Sequence, residues 1–225
     1  SLEVIRKDPY SLATEIRGLG FKRIDQIAQG MGISFDDQKR ILGAVLTSLY
    51  EECYSNGYTY ANDKLLLEKS LQLLEGARSE KVDPEKVADT IIEAGHKRKI
   101  VIEGKRIYPK SLYNSEQEIA YDLYRLMNNR DEPIEYDEDE IDRCLEDVQT
   151  EFSITYGQDQ LQAIKDAIKS PVFLLTGGPG TGKTTILRGI TEVYMKLNKI
   201  DRKDAKGIKL AAPTGRAAQK MANAT

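Results

Sequence analysis

The stretch TGGPGTGKTT, residues 176–185, decides how this sequence is read. Gly177, Gly182, Lys183 and Thr184 take every fixed position of the pattern G-x-x-x-x-G-K-[ST]. The apolar run VFLLT (172–176) precedes it, and a helix is predicted over about 183–197 behind it. Strand, glycine-rich turn and helix in that order read as a phosphate-binding loop. Glycine lets the backbone take positive φ and turn its N–H groups to an anion with no Cβ in the way. The following helix offers its positive end to the same anion. Gly178, Pro179, Gly180, Thr181, Gly182, Lys183, Thr184 and Thr185 are therefore the candidate cradle for the phosphates of ATP. Lys183 suits the β and γ phosphates and the Thr184 hydroxyl suits Mg²⁺, which makes these two the candidate catalytic residues.

Hydrolysis needs an acidic pair after another strand, to hold the metal and orient water. Beyond Lys183 the acids are Glu192, Asp201 and Asp204, and none follows an apolar strand. The expectation is a chain that binds nucleotide and by itself hydrolyses it poorly or not at all.

Outward from the loop, the rest of the sequence sets the context. The chain has 225 residues, 40% apolar and 31% charged, the range of water-soluble globular proteins. It contains no apolar run of about 18 residues, so no membrane partner is expected, and its first residues lack a secretory apolar core. Cys53 and Cys144 have no neighbours at metal-ligand spacing and read as free thiols of a reducing compartment. Residues 131–151 hold eleven acids and one base, so the remainder carries +7 against a total of −3. That acidic segment reads as a solvated linker or helix face.

Periodicity predicts a mostly helical first half. Asp8-Pro9 starts one helix. Ile24, Ile27, Ala28 and Met31 share a face of a second. Ile41 to Cys53 mark a third, stopped by Gly57. Helices over about 63–75 and from Asp83-Pro84 to near Gly95 follow. KIVIEGKRIYP (99–109) then reads as a β-hairpin, so that about 60–113 forms a winged-helix-like unit. A helix over about 115–129 leads to the acidic segment. After it, helix 158–169, strand VFLLT, the loop, a helix, strand IKLAA (208–212) and a further helix open a parallel sheet. The fold class expected is a mostly α N-terminal region followed by the start of a RecA-like α/β domain. The expected divisions are 1–58, 59–130, an acidic linker 131–152, and 153–225.

Three motifs narrow the function. TYGQDQLQAIKDAI (155–168) resembles the glutamine motif of helicases, in which a carboxamide (here Gln160) both donates to and accepts from the adenine edge. Tyr156 is a candidate to stack on the base. AAPTGRAAQKMA (211–222) resembles motif Ia of superfamily 1 helicases, which holds single-stranded DNA. Its Pro213, Thr214, Gly215 and Arg216 are the matching candidates for DNA contact. DPYSLATEIRGLGFKRIDQIAQGMGI resembles a helix-hairpin-helix. Gly18 and Gly20 lie in the turn, with Lys22 and Arg23 beside it to meet a phosphate. A plain packing corner between helices competes with that last reading.

Together with the NGYTYANDKLL stretch, these motifs make the sequence similar to the RecD-like DNA helicases, in the branch with a long N-terminal extension that works without RecB and RecC. The resemblance implies an ATP- and Mg²⁺-dependent helicase moving 5′ to 3′ on single-stranded DNA. It also implies action at junctions of single and double strands, in the cytoplasm near the nucleoid, alongside further DNA-repair proteins. It implies that the sequence carries the N-terminal domains and the opening of a first motor lobe. Two alternatives stay open: another P-loop DNA-dependent ATPase, and a non-catalytic DNA-binding or docking module.

Overall fold

Asp37 begins the longest core helix by accepting the N–H of Lys39 at 2.8 Å, and Gly57, at φ 73°, ends it in the left-handed conformation. This is helix α2, Gln38–Asn56, in a computed structural model of the protein that describes residues 8–11, 20–128, 135–201 and 207–224. The described residues divide into two compact units, 1–120 and 121–225.

In the first unit a 3₁₀ turn, Pro9–Ser11, precedes α1, Phe21–Gly30. After α2 come β1 (Ala61–Asn62), α3 (Asp63–Ala77), α4 (Pro84–His96), β2 (Ile100–Glu103) and β3 (Arg106–Pro109). The strands form one antiparallel sheet in the order β1-β3-β2, with Glu103 opposite Arg106 and Gly104 turning the hairpin at φ 60°. Helices α3 and α4 with this sheet have the helix–helix–hairpin order of the winged-helix-like unit expected over about 60–113, and α2, outside those bounds, packs into the same core. Ile41, Val45, Leu49, Leu66, Leu74, Val87, Ile100 and Ile107 belong to this shared core. Asn62 and Asp83 cap α3 and α4 as Asp37 caps α2.

Helix α1 turns a different face inward from the one periodicity suggested. Ile27 and Met31 are 52% and 41% exposed, while Phe21, Ile24, Asp25 and Ala28 are buried. The reason is Asp25. Its carboxylate accepts two hydrogen bonds from Arg40 and two from Arg78, along with that of the Tyr10 hydroxyl at 2.6 Å. An ion network this buried fixes the rotation of the helix that carries it.

Helix α5, Lys110–Asn128, follows β3 without a gap and has no buried residue. In the second unit α6 is Glu138–Phe152, α7 Gln158–Lys169, α8 Lys183–Leu197 and α9 Gly215–Ala224. Where an acidic linker was expected over 131–152, residues from Glu138 onward form a helix. Ile141, Leu145 and Val148 pack inward with Ile164, Ile186 and Val193. Its acids pair outward with lysines of α7 and α8: Asp142 with Lys165, Glu138 with Lys169, and Glu151 with Lys196 at 2.8 Å. The charge that looked like solvated linker is thus one face of an amphipathic helix.

Helices α7, α8 and α9 fall where the sequence put them, but the strands do not. Neither VFLLT nor IKLAA is a strand, and Leu174 is 84% exposed. A parallel strand holds only between neighbours, under helices on both faces. Among the described residues these two segments do not pair.

Candidate nucleotide and DNA site

Gly180 and Gly182 have φ of 78° and 80°, so the turn before α8 uses the freedom that only glycine has cheaply. Gly182 is the N-cap of α8, and no side chain caps the helix. Its first N–H groups are therefore left to an external acceptor. A Cβ on Gly178 or Gly180 would meet nothing within 4 Å, so the approach to the backbone is open. The residues present fit a nucleotide's phosphates.

Lys183 closes on the loop itself. Its Nζ donates to the carbonyl oxygens of Gly177 at 2.8 Å and Gly178 at 2.5 Å, with the Thr181 hydroxyl at 3.3 Å. Thr181 in turn donates to Gly178 O at 3.0 Å. Pro179 and Thr184 are exposed and Thr185 is half-buried. The Thr184 side chain is thus open to solvent. Among the described residues no three acidic, histidine or cysteine side chains gather as a metal site.

Gln160 lies beside the loop. Its Oε1 accepts the N–H of Gly157 at 3.1 Å, and its Nε2 faces Gly182 so closely that a Cβ there would sit 2.5 Å away. One carboxamide thus caps α7 and abuts the end of the phosphate loop. Its carbonyl keeps a second lone pair and its amide keeps donors.

Tyr156 does not take the stacking role suggested for it. It is 4% exposed, packed against Gly189 of α8, and burial pushes its phenol pKa up. Its hydroxyl and Nε of Arg188 make no hydrogen bond among the described residues, and the Arg188 guanidinium lies 4.2 Å over the Phe152 ring. No sequence pattern pointed to this Arg188–Phe152 contact.

Thr214 caps α9, accepting the N–H of Ala217 at Oγ1 (3.3 Å) and that of Ala218 at its carbonyl (2.9 Å). Pro213 precedes it, and Gly215 and Arg216 follow on the first turn, exposed. At the other end of the chain Gly18 lies outside the described residues. Gly20 is the N-cap of α1 without a side-chain cap, and Lys22 and Arg23 are exposed on the first turn behind it. Each of these two helix starts presents uncapped or lightly capped N–H groups beside a cation.

No described helix is long and apolar enough to cross a membrane. Residues 1–60 match the family described as the helix-hairpin-helix (HHH) domain of the ATP-dependent RecD2 DNA helicase, and residues 160–225 match the AAA domain family. The chain is 48% identical over 63 residues to the RecBCD enzyme subunit RecD of Haemophilus influenzae, covering 28% of this chain and 9% of that protein. Against the subunit RecD of Mycolicibacterium smegmatis it is 30% identical over 121 residues, 54% of this chain and 20% of the relative. Against the ATP-dependent RecD2 DNA helicase of Deinococcus radiodurans it is 23% identical over an alignment covering 100% of this chain and 30% of the relative. The chain thus spans less than a third of each of these relatives.

Proposed function

We propose that the chain serves an ATP-dependent DNA helicase acting on single-stranded DNA, a reading supported by the RecD2 helicase HHH-domain match over residues 1–60 and the AAA-domain match over residues 160–225. The observation that carries the proposal is that Lys183 begins the helix whose N-cap, Gly182, the Gln160 carboxamide abuts. A phosphate-binding ammonium and an adenine-reading carboxamide meet at one end of one helix. The loop N–H groups and the start of α8 bind the phosphates, Lys183 neutralises them, and Thr184 supplies a metal oxygen. Gln160 reads the adenine edge. Bound Mg²⁺ would neutralise charge developing on the phosphates. Thr214, Gly215 and Arg216 hold the strand by its phosphates, and the Gly20 turn with Lys22 and Arg23 grips the backbone without reading sequence. Travel 5′ to 3′, work at single-to-double-strand junctions beside repair proteins, and a cytoplasmic, nucleoid-associated setting complete the reading.

These 225 residues bind nucleotide without turning it over efficiently. Glu192 is 3% exposed within α8 and Asp201 follows that helix, so neither stands at the end of a strand facing the loop. The test is nucleotide binding and ATP turnover by the chain, with and without single-stranded DNA, against Lys183→Ala. Binding lost in the variant, with negligible turnover in both, is expected. Equal binding by the two proteins refutes the nucleotide site. Lys183-dependent, DNA-stimulated turnover refutes the claim of inefficiency.

A further inference from the structure

Helix α4 ends at His96, and Lys97-Arg98-Lys99 follow it before the hairpin begins, four successive basic or basic-capable residues. All four are exposed. Lys97 is held by Glu93 at 2.5 Å, whereas Arg98, Lys99 and Lys110 form no ion pair among the described residues. His96, Arg98 and Lys110 rim a groove floored by Ile92, Ile100 and Ile102, and no acid lines it. Ile92 and Ile102 are 52% and 40% exposed.

Two of these cations stand where the fold disfavours them. Arg98 has φ 55°, the left-handed region, at the point where a helix usually ends on glycine. Its N–H donates to Gly95 O, and that of Lys99 to Ala94 O, both at 2.9 Å, so the backbone needs this conformation. A side chain there costs about 1 kcal/mol or more. Lys110 is the first residue of α5, where the helix dipole repels a positive charge.

We propose that this groove is a docking surface for the sugar-phosphate backbone of duplex DNA, with Arg98 and Lys110 on phosphates and the isoleucine floor against deoxyribose. Charge complementarity carries the choice: an unpaired cationic rim free of acids meets a polyanion. The lack of any aromatic residue in the lining argues for a duplex over a single strand, whose bases need rings to stack on. The proposal rests on the DNA reading above. It adds a second grip to the unit that already carries Gly20, Lys22 and Arg23, and two sites on one body bind more tightly than either alone.

The experiment measures binding of the 225-residue chain to a short blunt duplex across a salt series, for wild type, Arg98→Gly, Lys110→Ala and the double variant. The double variant should bind about tenfold more weakly, with the slope of log affinity against log salt shallower by about two. The thermal midpoint should stay level or rise, because both changes relieve a local cost. Unchanged duplex affinity overturns the proposal, as does a fall in thermal midpoint that accounts for the loss. Equal losses on a single strand of the same length, or losses confined to polyglutamate as an acidic-peptide probe, overturn the choice of duplex. Wild type that ignores duplex overturns it too. Nucleotide binding measured on the same samples shows whether the Lys183 reading stands regardless.

Discussion

Asp25 and Arg40 face each other through paired hydrogen bonds of 2.9 and 3.0 Å, with side chains 1% and 0% exposed. Arg40 also donates to Leu74 O and Phe35 O, and Arg78 reaches the same carboxylate from the end of α3. One buried anion therefore ties α1 to α2, α3 and the Pro9–Ser11 turn. Replacing a partner leaves charge buried without compensation, which costs about 3–5 kcal/mol. Asp25→Asn should lower stability by about that much in denaturant titration. A change below about 1 kcal/mol would show that the guanidinium groups find other acceptors.

The same carboxylate sets an acid limit. Burial alone would raise its pKa, but hydrogen bonds from Arg40, Tyr10 and Arg78 outweigh burial and hold it below the ordinary carboxylate value. A depressed pKa gives stability that is present above the unfolded-state value of about 3.9 and is lost as pH falls through the lower, folded one. Stability should therefore decline below about pH 4 more steeply in wild type than in Asp25→Asn. Parallel pH profiles would place the acid sensitivity elsewhere.

Gly182→Ala tests the loop and Gln160 together. The substitution must accept φ 80° and a Cβ 2.5 Å from Gln160 Nε2, so the carboxamide has to move. Binding of a fluorescent ADP analogue should fall at least about tenfold, a loss of about 1.4 kcal/mol. Gly20→Ala meets nothing within 4 Å and has ordinary φ, so nucleotide binding should be untouched there. Equal binding by Gly182→Ala and wild type would separate Gln160 from the nucleotide site.

Tyr156→Phe removes a buried hydroxyl that has no hydrogen-bond partner among the described residues. Unfolding should be unchanged or more difficult by up to about 1 kcal/mol, with nucleotide affinity unaltered. Weaker nucleotide binding would restore Tyr156 to the base site.

Legibility followed the physics of each element. Helices capped by Asp37 and Asp83, or opened by the glycine loop, were readable because their signals are local. The inward face of α1 was not. Periodicity counted Ile27 and Met31 as core and had no way to know that Asp25 was buried against guanidinium groups 15 and 53 residues away. One sign was present: Arg40 sits beside Ile41 at the start of a strongly apolar helix face. The acidic segment was left between solvated linker and helix face; charge count drew attention away from the spacing of Ile141, Leu145 and Val148, which decides for the helix. The phosphate loop and Gln160 were visible as residue types, but their meeting at Gly182 is a matter of folding in space.

Lys183 is already engaged, by two carbonyl oxygens and a hydroxyl of its own loop. On the nucleotide reading proposed above, ligand capture at this loop is a trade, in which the ammonium gives up backbone oxygens for phosphate oxygens. What matters is the difference between two sets of partners. Capture would therefore be weaker than the new contacts alone suggest, because the old ones are given up.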